Sequence, residues 1–131
     1  MPCNPLVDSP AVQRILIVDD DKNVAPLFGS ILESAGYDVC STLSGKEGLR
    51  AIQEEAFQLV ILDLAIPDVD GFEILMAIRD YVPKPKVLAV SGVFPALLHV
   101  AKKCGADLVL DKSKVADSLV ASVRSLIEAA S

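Results

Sequence analysis

The chain has 131 residues, a formal charge of −6 and no Trp, with hydrophobic residues making up 52% of it. That length is one domain with one core, and the acidic balance excludes a nucleic-acid surface, which draws on clustered Lys and Arg. No run approaches the ~20 apolar residues of a membrane span.

With four Phe and two Tyr, the core must be built of Val, Leu, Ile and Ala, as buried parallel strands are. Cys3, Cys40 and Cys104 are odd in number and lack metal-ligand spacing. Reduced thiols in a cytoplasmic protein are therefore expected, with no disulfide. Residues 1–13 have neither a basic leader nor an apolar run and read as a flexible tail before a domain spanning 14–131.

The first strand, "RILIV" (14–18), runs into Asp19, Asp20 and Asp21. "NVAPLFGSILESAG" (23–36) follows with helical spacing and Gly36 as its C′ residue. Pro26 fits if the helix begins near Asn23, because the first turn needs no intrahelical donors. "YDVCS" (37–41) is the second strand, and "SGKEGLRAIQEE" (44–55) opens with Ser44 and Glu47 at capping-box spacing. The third strand, "QLVILDL" (58–64), contains Asp63, and the turn-rich "AIPDVDG" (65–71) leads into the helix "FEILMAIRDY" (72–81). After Pro83 and Pro85 come the strand "KVLAVSG" (86–92) and a helix, "PALLHVAKK" (95–103), closed by Gly105. "DLVLDKS" (107–113) is the fifth strand and "VADSLVASVRSLIEAA" (115–130) the last helix. Five strands alternating with five helices predict an α/β fold, a parallel sheet covered on both faces.

Ligands in such sheets collect beyond the carboxyl ends of the strands. Asp19 and Asp20, Asp63, Ser91 and Lys112 all stand at such ends. Singly, each reads equally as a cap, a strand end or a solvated charge; jointly they describe three carboxylates, a hydroxyl and an ammonium meeting at one place. Neighbouring carboxylates repel by a few kcal/mol at the effective dielectric of proteins, so the cluster needs a cation, a proton or solvent. Asp21 is assigned to capping or solvent.

"ILIVDD", "LVILDLAIPDVDG", "VLAVSG" and "GADLVLDKS", in this order and spacing, resemble the receiver domain of two-component response regulators. The resemblance covers Arg14 to about Ala130. It implies a flavodoxin-like (βα)5 doubly wound sheet of strand order 2-1-3-4-5. It also implies Asp63 as phosphoacceptor and Mg²⁺ held by Asp19, Asp20, Asp63 and the Ala65 carbonyl. Lys112 and Ser91 would contact phosphoryl oxygens. The implied donor is a sensor histidine kinase or a histidine phosphotransfer protein, approaching beside the first helix. The implied output face, made by the fourth helix, fifth strand and fifth helix, would meet a protein effector. The chain would be a signalling module rather than an enzyme, with self-phosphorylation and autodephosphorylation only, and a monomer or weak homodimer.

Ser113 stands where the family usually has proline, and a cis bond before a non-proline costs ~2.5–4 kcal/mol, so a trans peptide and an altered lysine loop are expected. Val109 replaces the usual aromatic, which removes the ring of the hydroxyl–aromatic switch. Apolar Ala65 and Val93, at positions that tune dephosphorylation, predict slow self-hydrolysis, with simple packing as the alternative. His99 is read as a surface residue. Core burial is expected for Leu97, Leu98 and Val100, and Cys104 is read as small and buried. Two other functions remain on the table. One is a degenerate receiver that binds without phosphorylation; the other is a Mg²⁺-dependent aspartyl phosphatase, which needs a second acid where Ala65 stands.

Overall fold

The computed structural model describes residues 13–65, 71–81, 84–92 and 95–129, without the side chains of 95–98. Its elements are β1 (Arg14–Val18), α1 (Val24–Ser34), β2 (Asp38–Thr42), α2 (Gly45–Glu54), β3 (Leu59–Asp63) and α3 (Gly71–Ile78), followed by β4 (Lys86–Ser91), α4 (Pro95–Lys103), β5 (Leu108–Asp111), a 3-10 turn (Lys112–Lys114) and α5 (Val115–Ala129). Five parallel strands lie in the order β2-β1-β3-β4-β5, as the resemblance implied.

Strand periodicity of two sorts the core into two layers. Ile15, Ile17, Leu59, Ile61, Leu88 and Val90 face one way, onto Ala25, Phe28 and Leu32 of α1 and Val115, Leu119 and Val123 of α5. Leu16, Val18, Val60, Leu62, Val87 and Ala89 face the other, onto α2, α3 and α4 through Ile52, Ile74, Leu75, Ile78 and Ala101. Each fully buried Leu or Ile contributes ~1.5–3 kcal/mol relative to exposure. The central strands are thus apolar on both faces, and their polar residues are pushed to the strand ends.

The helix ends follow their local chemistry. Pro26 occupies the third position after the N-cap Asn23, where its missing N–H costs nothing. Asn23 makes no side-chain cap; Asp21 Oδ1 accepts from the N–H groups of Asn23 (2.8 Å) and Val24 (3.4 Å) instead. At the other end, Gly36 (φ 98°) and Tyr37 donate to Glu33 and Leu32 carbonyls, a Schellman closure that needs a left-handed residue. Ser44 Oγ accepts from Glu47 N–H at 3.2 Å.

Several expectations need correction. α3 ends at Ile78 rather than Tyr81, because Asp80 and Tyr81 donate three residues back, tightening the last turn. β5 stops at Asp111, so Lys112 begins a 3-10 turn instead of ending a strand. Val100 is exposed on α4, on the side away from buried Ala101. Cys40, buried on strand β2, is disulfide-bonded, against the expectation of reduced thiols. Cys104 is free and partly buried, and His99 is exposed. Residues 1–12, Val93 and the side chains of Leu97 and Leu98 lie outside the described residues.

Candidate functional site

The chain steps from β1 outward to β2 and then returns to β3 on β1's other side. That reversal leaves a crevice at the carboxyl ends of β1 and β3. Asp19 follows β1 directly and Asp63 is the last residue of β3, so both are carried there by strands packed on both faces. Oxygen atoms of Asp19, Asp20 and Asp63 all lie within 4.8 Å of one another. Asp19 is 2% and Asp63 3% exposed, whereas Asp20 faces solvent. Asp20, Asp21, Asp63, Ala65, Gly92 and Lys112 line a cleft of about 460 Å³.

Lys112 closes the group. Its Nζ lies 3.0 Å from Asp19 Oδ2 and 3.0 Å from Asp63 Oδ2. Asp19 Oδ1 accepts both from Lys112 Nζ at 3.1 Å and from Asp21 N–H at 2.9 Å, and Asp63 Oδ1 accepts from Ala65 N–H at 3.0 Å. Burial pushes the Asp19 carboxyl up, and the Asp63 charge adds to this against the opposing Asp21 and Lys112 hydrogen bonds. Burial works to lower the Lys112 ammonium, but its bonds to Asp19 and Asp63 outweigh that and hold it above its ordinary value. Three carboxylates against one ammonium leave a net negative pocket of hard oxygen donors, open on one side. That donor set suits a small divalent cation with retained waters.

Ser91 ends β4 one residue beyond Val90, the register partner of Asp63, and pairs with Asp111 on β5. Its Oγ is buried without a hydrogen-bond partner, a situation that costs ~1–3 kcal/mol. Asp19, Asp20, Asp63 and Lys112 are therefore brought together at one strand-end site, Ala65 contributes its N–H to Asp63, and Ser91 stands at the end of the neighbouring strand without lining the cleft.

Sequence reading missed three supports of this site. The backbone of Gly71 stands so close to the end of β3 that a Cβ on it would sit 2.7 Å from Leu64 Cα and 3.1 Å from the Asp63 carbonyl oxygen. A Cβ on Gly92 would lie 3.4 Å from Lys112 Cβ. Asp111 caps the turn that carries Lys112, and the Asp111-x-Ser113 spacing was its one available signal. Val109, at the usual aromatic position, packs half-buried against the layer of Leu16 and Val60.

A buried strand-end carboxylate, two further acids and an ammonium thus meet at the switch point of a five-stranded parallel sheet. A family profile described as response regulator receiver domain matches residues 15–124, and the chain belongs to this family. It is 32% identical over 108 residues to the regulatory protein VanRc of Enterococcus gallinarum, and 34% over 108 residues to the DNA-binding response regulator MtrA of Mycolicibacterium smegmatis. Each match takes in 82% of this chain but 42% and 43% of those proteins, so the chain spans about two-fifths of their length. A CheY-like receiver domain from Methanospirillum hungatei superposes with a TM-score of 0.84 at 31% identity, over 90% of this chain and 95% of that one.

Proposed function

We propose that the chain accepts a phosphoryl group on Asp63 from a histidine donor and signals by protein contact. The observation that carries this reading is the pairing of Asp63 Oδ2 with Lys112 Nζ at 3.0 Å in a cleft that also holds Asp19 and Asp20. One Asp63 oxygen bonds to phosphorus as the P–N bond to the donor imidazole breaks, and the imidazole leaves with a proton. Lys112 shifts from the carboxylates to a phosphoryl oxygen as a point charge, and Ser91 Oγ donates to another. Ala65 N–H fixes the Asp63 rotamer, which leaves positioning and charge stabilisation as the protein's contribution.

Asp19, Asp20, Asp63 and the Ala65 carbonyl would hold Mg²⁺. When bound, it would offset the charge repulsion between these acids and an anionic phosphoryl group. The donor would be a sensor histidine kinase or a histidine phosphotransfer protein, and α4, β5 and α5 would form the effector face. With Val109 lacking a ring, output would run through the loop after Ser91 and α4. Among the described residues no helix is long and apolar enough to cross a membrane. A cytoplasmic place of action is part of the reading.

The test is intact-protein mass spectrometry after incubation with acetyl phosphate, in Mg²⁺ and in chelator, on wild type and Asp63→Asn. One phosphoryl group gained in Mg²⁺ and absent from the variant is the expected result. A folded wild type that takes none under either condition would support a receiver fold used for binding alone.

A further inference from the structure

Ser113 occupies the position after the site lysine with two groups that a proline would lack, a backbone N–H and a hydroxyl. Both are satisfied by one atom: Asp111 Oδ1 accepts from Ser113 N–H at 3.0 Å and from Ser113 Oγ at 2.7 Å. Asp111 is the last residue of β5, paired in register with Ser91, and its backbone is extended (φ −69°, ψ 126°). The residue after the 3-10 turn, Val115, is fully buried in the layer formed with Ile17 and Ile61. Lys112 therefore stands on a three-residue bridge anchored by a strand behind it and a core residue ahead, with Asp111 as the clamp between.

The clamp matters because a lysine side chain carries many rotamers and no preferred geometry of its own. Nothing in its four-carbon stem directs the ammonium to Asp19 and Asp63; the position and direction of its Cα–Cβ bond must do so. We infer that Asp111, acting through Ser113, is the positioning residue that aims the Lys112 ammonium at the Asp19–Asp63 pair. For the transfer step, this inference rests on Asp63 being the phosphoacceptor.

Two measurements separate this role from ordinary stability, each made on wild type, Asp111→Ala, Asp111→Asn, Lys112→Ala and the Asp111→Ala/Lys112→Ala double variant. The first is Mg²⁺ titration by calorimetry, which needs no phosphoryl transfer. A lysine no longer held between the acids leaves them more negative, so Asp111→Ala should tighten Mg²⁺ binding several-fold, in the same direction as Lys112→Ala. The second is the rate of phosphoryl gain from acetyl phosphate, where a misaimed lysine should cost Asp111→Ala about tenfold. Asp111→Asn keeps the acceptor oxygen and should restore both readouts, and in the Lys112→Ala background Asp111→Ala should change neither.

Unchanged Mg²⁺ affinity in Asp111→Ala, or an equal slowing with and without Lys112, would overturn the inference. Should Asp111→Ala not fold, Ser113→Ala removes the hydroxyl half of the clamp, and it must shift Mg²⁺ affinity the same way or the inference fails. A wild type that never gains a phosphoryl group would instead defeat the proposed function, while the calorimetric result would still decide whether Asp111 positions Lys112.

Discussion

Both ends of the sheet hold a cation between two carboxylates, and the two arrangements differ in what they leave free. At the amino end, Arg14 of β1 reaches Asp38 (3.3 Å) and Glu55 (2.7 Å), with its guanidinium 5.1 Å over the Phe57 ring and an Nη–Sγ contact to Cys40 at 3.9 Å. At the carboxyl end, Lys112 reaches Asp19 and Asp63, each at 3.0 Å. The amino-end acids are 17% and 31% exposed and the carboxyl-end acids 2% and 4%. A planar guanidinium stacked on a ring has its fork committed, and water serves the partners. A lysine can leave its acids, and those acids then have no water of their own to fall back on. The first pattern fastens β1, β2 and the end of α2; the second stores a negative field that an ammonium neutralises only in part. Structure and function here differ in which partner is buried.

The strongest way to break this comparison is to delete each cation in turn. Lys112→Ala should lose ~1–3 kcal/mol in chelator, less than a fully enclosed pair because the cleft is open. Mg²⁺ at 100 times its dissociation constant should return ~2.7 kcal/mol, while the rate of phosphoryl gain falls ~10²–10³-fold. Arg14→Ala should lose ~1–2 kcal/mol from ion pairs and ring contact, and by the same amount with or without Mg²⁺. Denaturant melts in both conditions read the difference. Equal Mg²⁺ responses for the two variants would erase the distinction drawn between the two ends.

The two ends were also unequally legible in the sequence. Asp19, Asp20, Asp63, Ser91 and Lys112 could be found because strand-end polar residues interrupt long apolar runs, and the order of strands followed from the resemblance they carry. The role of Arg14 had no sequence signal, because its partners Asp38 and Glu55 are brought to it only by β2 pairing and the end of α2. The helix caps at Gly36 and Ser44 were readable from local chemistry. The end of β5 was not, because "DLVLDKS" is apolar enough to run on as a strand, and only Asp111 folding back onto Ser113 turns the chain at Lys112. Gly71 had no sequence signal beyond its turn-like setting; its need is a close approach of two backbones.

That close approach gives the next largest effect. In Gly71→Ala the new Cβ meets the backbone of Leu64 and Asp63 rather than a movable side chain, so the loop must shift, at ~1–3 kcal/mol. Because the shift begins at Asp63 itself, phosphoryl gain should slow with it. A melt at wild-type temperature with unchanged rate would mean that the return loop does not constrain the acceptor.

Asp19→Asn should act in the opposite sense. Burial holds the Asp19 carboxyl above its ordinary range, so at neutral pH the folded state carries a charge it disfavours, and a neutral isostere removes that cost. The amide oxygen can still accept from Asp21 N–H. In chelator the variant should melt about 2–6 °C higher than wild type, and most of the Mg²⁺ stabilisation should disappear. A lower melting temperature in chelator would show that the Lys112 pair outweighs burial at this site.

The smallest expected effect concerns pH. Ser113's hydroxyl and N–H hold the Asp111 carboxyl below its ordinary value, with a lesser contribution from Lys114. A depressed folded pKa means that the unfolded chain takes up a proton first as pH falls. The contribution is thus present in full above about pH 4, the unfolded value, and is lost as pH falls through the folded one. Asp111→Asn keeps the acceptor but cannot titrate, so its loss of stability on acidification should be shallower than that of wild type, with little change at pH 7. Because Asp111 is only partly buried, the difference should be small and best seen by denaturant titrations at pH 3 to 5. Parallel acid limbs for the two proteins would mean that the Ser113 bonds serve a protonated Asp111 as well as an ionised one, and the clamp on Lys112 would then owe nothing to charge.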